Sequence, residues 1–145
     1  MIVVVNRISG QIFSRLIAAA LLAGVAACAV TPVEETPVSG NAAVLQLAAA
    51  ARDELAAGNA VNAAAKLERA LRIEPRSARL WYELARVRLS QDDARQAENL
   101  ALRANGYAGE DRRLRSAIWN LIGEARQRQG NEAGARAAFE KATQR

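Results

Sequence analysis

The chain has 145 residues, enough for one domain of ordinary size. Half of the residues are hydrophobic but only 4% are aromatic, so alanine supplies much of the apolar count; a core this thin suits paired helices better than a sandwich of sheets. The formal charge is a mild +5, with one Cys and no His, which excludes an intramolecular disulfide, argues against a protein-built zinc site, and falls short of a nucleic-acid footprint.

Residues 1–27 read as an export signal. Arg7 and Arg15 supply positive charge ahead of Leu16 to Ala27, an apolar run of 12 residues. A spanning helix needs about 20 such residues. An uncleaved anchor would have to borrow Ile12 and Phe13, and Arg15 inside that span argues against it. Removal of Arg7 and Arg15 leaves 18 basic residues against 15 acidic. The run ends in Val25-Ala26-Ala27-Cys28, which resembles the lipobox of bacterial lipoproteins. That resemblance implies that the Cys28 thiol takes a diacylglycerol group and that the new amino terminus is acylated as well. One acyl chain anchors only marginally, whereas two or more hold firmly. Ala29, rather than Asp, follows the Cys, which by the same resemblance favours the outer membrane over the inner. The bland alternative is an ordinary small-residue cleavage site at Ala27-Cys28-Ala29, giving a soluble periplasmic protein without lipid. Thr31 to Asn41 holds two Pro, two Glu, Thr, Ser and Gly and reads as a tether with no apolar face to bury. The acylated Cys and tether together span 28–41.

Helices are expected over 42–145. The first runs from Ala42 to about Ala57, with Val44, Leu47, Ala48, Ala51 and Leu55 at helical spacing. Gly58 stops it and Asn59 starts the second, which carries Ala63, Leu67, Ala70 and Leu71 and ends before Pro75. Ser77 caps a third helix presenting Leu80, Trp81, Leu84, Val87 and Leu89. Asp92 or Asp93 starts the fourth, with Ala97, Leu100, Ala101 and Ala104, and Asn105-Gly106 is expected to end it. Glu110-Asp111 ahead of Arg112, Arg113 and Arg115 suits a helix start, because acids favour the positive end of the dipole. The basic trio is either a solvated face or a docking spot for an acidic partner. The fifth helix runs through Trp119 to Gln129, and the sixth from Glu132. Glu68 with Arg72, Arg79 with Glu83, Glu132 with Arg136 and Arg136 with Glu140 stand at i,i+4 spacing for weak surface pairs.

Trp119 to Ala142 gathers one pattern: Trp119, then Ile122-Gly123, then Gly130-Asn131, then Ala135, Phe139 and Ala142. Trp81, Leu84 and Ala85, with Ala97, Ala101 and Ala104, repeat it, as do Leu47, Ala50 and Ala51, with Ala63, Leu67, Ala70 and Pro75. Leu47 to Trp81 is 34 residues and Trp81 to Trp119 is 38, so about four are inserted around Gly106 to Arg113. The pattern resembles the tetratricopeptide repeat, a helix-turn-helix unit of 34 residues. The fold this implies is all-α: antiparallel helix pairs stacked as a short right-handed superhelix, an α-solenoid of about three repeats, near 44–77, 78–111 and 116–145.

The resemblance also implies a concave groove lined by the first helix of each pair. Transferred by phase, its positions fall on Arg52 and Leu55, on Arg79, Tyr82, Glu83, Arg86 and Leu89, and on Asn120, Glu124, Gln127 and Arg128. Arg52 and Arg86 suit carboxylates, so the implied partner is a protein or peptide segment with acidic and apolar character. Solvated helix positions are the bland reading of the same residues. The Lys and Asn of the family's carboxylate clamp are not matched: Ala48, Arg52, Glu83, Ala117 and Leu121 stand there. Trp81, Trp119 and Phe139 read as core within each repeat.

No G-x-S-x-G motif or glycine-rich phosphate loop occurs, and adjacent acids such as Asp92-Asp93 diverge on a helix. Neither catalysis, a metal nor a cofactor is expected. The reading is a lipid-anchored adaptor on the periplasmic face of the outer membrane, one that scaffolds envelope, pilus or secretion machinery. Because the sequence stops after the sixth helix, apolar surface on the last pair is expected to be exposed. Self-association through that helix, making a structural subunit, is the alternative.

Overall fold

Turn chemistry sets the helix boundaries. The computed structural model describes residues 38–144, as six helices: α1 (Ala42–Ala56), α2 (Ala60–Ile73), α3 (Ala78–Ser90), α4 (Ala94–Tyr107), α5 (Arg112–Arg128) and α6 (Glu132–Thr143). They pack as the consecutive antiparallel pairs α1/α2, α3/α4 and α5/α6, with α2 against α3, α4 against α5, and α3 touching α5 directly. Among the described residues no helix is long and apolar enough to cross a membrane. The signal segment, Cys28 and most of the tether lie outside the described residues.

The turn inside each pair is the same structure three times. Gly58, Asp92 and Gly130 hold φ of 81°, 62° and 75°. The following residue in each case donates its N–H five residues back, from Asn59 to Glu54, Asp93 to Arg88 and Asn131 to Arg126, at 2.8–3.0 Å. These are Schellman closures, which satisfy the carbonyls a helix end leaves open. The next helix then starts at once. Asp93 and Asn131 accept from the N–H groups of Gln96 and Gly134. Asn59 makes no such cap; its amide instead donates to Glu54. Hydrogen bonds from Asn59, Lys66 and Asn62 hold the Glu54 carboxyl below its ordinary range. Its stabilisation is therefore present at neutral pH and lost as pH falls through that lowered value.

Between pairs, Ser77 and Asp111 cap α3 and α5 by accepting from Leu80 and Leu114. Helix α4 does not end at Asn105-Gly106. It passes through the exposed Gly106 to Tyr107, and the left-handed position is Gly109, at φ 54°. The four extra residues therefore lengthen α5, not the connection. Trp81 is the fourth residue of α3 and Trp119 the eighth of α5. One added turn keeps the downstream face nearly in phase.

Two clusters make the core. One joins α1, α2 and α3 through Val44, Leu67, Leu80, Leu84 and Val87; the other joins α3 to α6 through Leu89, Leu114, Ile118, Ile122 and many alanines. Trp81 and Leu100 pack against both. The Trp81 indole donates to the Pro75 carbonyl at 2.8 Å. Arg103 lies over its ring at 4.1 Å, and Lys141 lies over Trp119 at 4.4 Å, each cation 22 residues beyond its tryptophan. The second helix of every pair contributes small residues: Ala63, Ala70, Ala97, Ala101, Ala104 and Ala138 are all at 0% exposure.

Some expectations fail. Of the four i,i+4 pairs only Arg79–Glu83 forms among the described residues, at 3.8 Å; Glu68 instead reaches Arg88 of the adjacent α3 at 2.8 Å. The last pair exposes no large hydrophobic residue; among the described residues those that are exposed are Leu45, Val61, Ile73, Leu102 and Tyr107. The outer positions of α6 carry Glu132, Arg136, Glu140 and Lys141 with the small Ala133 and Ala137 among them, and Phe139 is half-buried against Gly123.

Two predictions follow from close approach and left-handed backbone. A Cβ on Gly123 would meet the Phe139 ring at 2.4 Å, whereas the equivalent Ala51 and Ala85 stand opposite the smaller Leu67 and Ala101 positions. Gly123→Ala is expected to cost about 1–3 kcal/mol in urea unfolding, and Phe139→Leu in the same chain to recover most of it. Asp92→Gly, which relieves a side chain at positive φ, is expected to stabilise by about 0.5–1 kcal/mol and to raise Tm.

Candidate binding groove

The first helices α1, α3 and α5 present the candidate groove. Its centre is a carboxylate that the fold buries. Glu83 is 6% exposed, the one charged residue in the core among the described residues. Arg52 of α1 and Arg86 of α3 donate to its two oxygens at 3.4 and 3.3 Å, and Arg79 lies 3.8 Å away. Burial of a carboxylate requires such pairing. The arginine side chains of Arg52 and Arg86 remain 45% and 46% exposed. One carboxylate cannot neutralise both, so the groove keeps positive charge at its centre. A guanidinium has five donors, and each of these two uses only part of its set on Glu83.

Beside this cluster a cleft of about 530 Å³ opens between α3 and α5, walled by Tyr82, Arg86, Asn120, Glu124, Gln127 and Phe139. The Arg86 guanidinium stands 6.0 Å from the Tyr82 ring centre. The cleft thus offers an aromatic wall, amide donors and a cationic rim. It has no cluster of His, Cys, Asp and Glu suited to a metal, and none occurs elsewhere among the described residues.

The structure sorts the groove residues read from the sequence. Arg52, Arg79, Tyr82 and Arg86 come together around Glu83, while Asn120 and Glu124 line the adjoining cleft. Leu55 is half-buried and packs on the first core cluster. Leu89 is not a groove residue: at 4% exposure it belongs to the core, because α3 is covered by neighbours on both sides. Arg128 is committed elsewhere. It donates to the Leu89 carbonyl at the end of α3 and to Glu124 at 2.8 Å, tying α5 to α3 where a helix C-terminus favours a cation. Phe139, read from the sequence only as core, also forms the cleft wall.

Comparison with known proteins agrees with this architecture. The family model described as tetratricopeptide repeat matches residues 54–121. The solved globular C-terminal domain of LpoP from P. aeruginosa superposes with a TM-score of 0.71 at 42% identity, over 73% of this chain and all of that one. The chain belongs to the tetratricopeptide repeat family. Comparison with curated proteins returns no match. The shared tetratricopeptide architecture explains why Trp81 and Trp119 have equivalent settings, each beneath a cation from the second helix of its own repeat.

Glu83→Gln keeps the shape of the cluster and removes its charge. The expected loss is roughly 1 kcal/mol, small because two of the three arginines are half exposed. It should shrink further as salt is raised, and urea unfolding at low and high ionic strength checks both.

Proposed function

We propose that this tetratricopeptide protein is a lipid-anchored adaptor of the outer membrane, whose groove holds an acidic segment of an envelope partner in the periplasm. The observation that carries the reading is the pair of exposed guanidiniums, Arg52 and Arg86, held over one buried carboxylate. Glu83 fixes both side chains before any partner arrives, so less rotamer freedom is lost on binding. A partner carboxylate then takes the remaining N–H donors in charge-assisted bonds. The Tyr82 and Phe139 wall accepts an apolar neighbour on the same segment. The lipobox-like Val25 to Cys28 supports the anchor. Confinement to a surface raises the local concentration of the groove around membrane-bound partners. The partner class is an envelope enzyme or an assembly machine.

Two measurements test the two halves. Radioactive fatty acid fed to cells is expected to label the wild-type chain and not Cys28→Ser; label on neither removes the anchor. A photo-crosslinker placed at Asn120 is expected to capture one dominant envelope protein, with at least tenfold less captured when Arg52→Glu and Arg86→Glu are combined. Unchanged capture by that double variant, in a chain that still unfolds cooperatively, would sink the groove reading.

A further inference from the structure

We propose that the end of the helix stack at which the chain enters the fold docks on anionic phospholipid headgroups. The entry point is fixed by contacts. Ser77 Oγ donates to the Val38 carbonyl at 3.5 Å, and Ser39 Oγ bonds the Glu74 carboxylate. Both partners lie in the connection from α2 to α3. Because successive helices alternate in direction, the connection from α4 to α5 and the end of α6 lie at the same end of the stack. Ser116 Oγ, donating to the Ala142 carbonyl at 2.7 Å, ties those two together.

Charge is unequal between the two ends. The entry end, taken as the terminal helix turns and connections, carries 7 basic residues against 4 acidic; the far end carries 4 against 5. The pairing differs as well. At the far end Arg88, Arg126 and Arg128 are bonded to Glu68, Glu98 and Glu124. At the entry end Arg72, Arg76, Arg112, Arg113 and Arg115 are all exposed and form no ion pair among the described residues. The extra turn of α5 carries three of these five. A basic cleft of about 560 Å³ opens beside that turn, between Arg112, Arg115, Ser116, Trp119 and Lys141. Three cations around such a hollow suit phosphate oxygens.

The length of the chain outside the described residues selects a lipid occupant over an acidic protein. Val38 stands only 10 positions after Cys28, a reach of at most about 35 Å when fully extended. A lipid on Cys28 keeps the basic end within that distance of the bilayer, where anionic headgroups attract basic side chains within a Debye length. With that end down the helices stand on the membrane, and the groove faces sideways at a fixed height. The inference takes its setting from the lipid-anchor reading, but its test does not use the anchor.

The chain from Ala29 onward lacks Cys28 and cannot be acylated there. It retains every described element, and the LpoP domain that it matches was solved as an isolated globular domain. It is sedimented with vesicles of phosphatidylethanolamine, with and without phosphatidylglycerol. The expected result is at least tenfold more protein bound in the presence of phosphatidylglycerol, falling to background in high salt. Combined Arg112→Glu, Arg113→Glu and Arg115→Glu should abolish that binding, while Arg52→Glu with Arg86→Glu should leave it intact. Equal binding to both vesicles, binding that survives the triple reversal, or loss only in the groove variant would overturn the proposal. So would a triple variant that loses capture of an envelope protein while binding vesicles as before, since the basic end would then be a protein contact.

Discussion

Close approach of helices through alanine is the constraint on which this domain rests. The second helix of each pair brings Ala63, Ala70, Ala97, Ala101, Ala104 and Ala138 to zero exposure. Such positions admit no added methyl without forcing neighbours apart. The larger residues that fill the remaining volume come mostly from the first helices: Val44, Leu80, Leu84, Ile118 and Ile122. A division of labour between small and large faces lets one connection geometry serve three times. It also explains the low aromatic content, since two tryptophans suffice where the helix axes are already close.

Much of the fold was legible because the signals are local and repeated. The turn residues Gly58, Asp92 and Gly130 mark helix ends through left-handed backbone, and Ser77 and Asp111 mark starts through side-chain acceptors. These depend on a few neighbouring residues. The end of α4 was misread at Gly106 because a lone glycine in an exposed helical turn costs only about 1 kcal/mol, and α4 has tertiary support up to Ala108. Ion pairs were the least legible feature. Glu68 pairs across helices with Arg88, and Arg52 reaches Glu83 over 31 residues of sequence, distances that no helical spacing rule addresses. The same reasoning explains Leu89 and Arg128. Phase alone put them in the groove; packing from both neighbours put Leu89 in the core, and a carbonyl at the end of α3 claimed Arg128.

The electrostatic arrangement has two levels. Inside, one buried carboxylate gathers three arginines from α1 and α3 and so couples neighbouring repeats across the groove. Outside, the far end is laced by Arg–Glu pairs that stitch α2 to α3 and α4 to α5. Arg52–Glu83, Arg88–Glu68 and Arg126–Glu98 each join one helix pair to the next. In a linear stack these junctions decide cooperativity, because each unit touches only its neighbours.

The shared position of Trp81 and Leu100 between the two core clusters carries a mechanical implication. The front helix pair shares its core cluster with Leu80, Leu84 and Val87 of α3, and Trp81 and Leu100 bridge that cluster to the next. Strain applied at the amino-terminal end of the described residues would be felt first where the front pair meets α3. A pull on that end would peel away one pair while the cleft between α3 and α5 kept its shape.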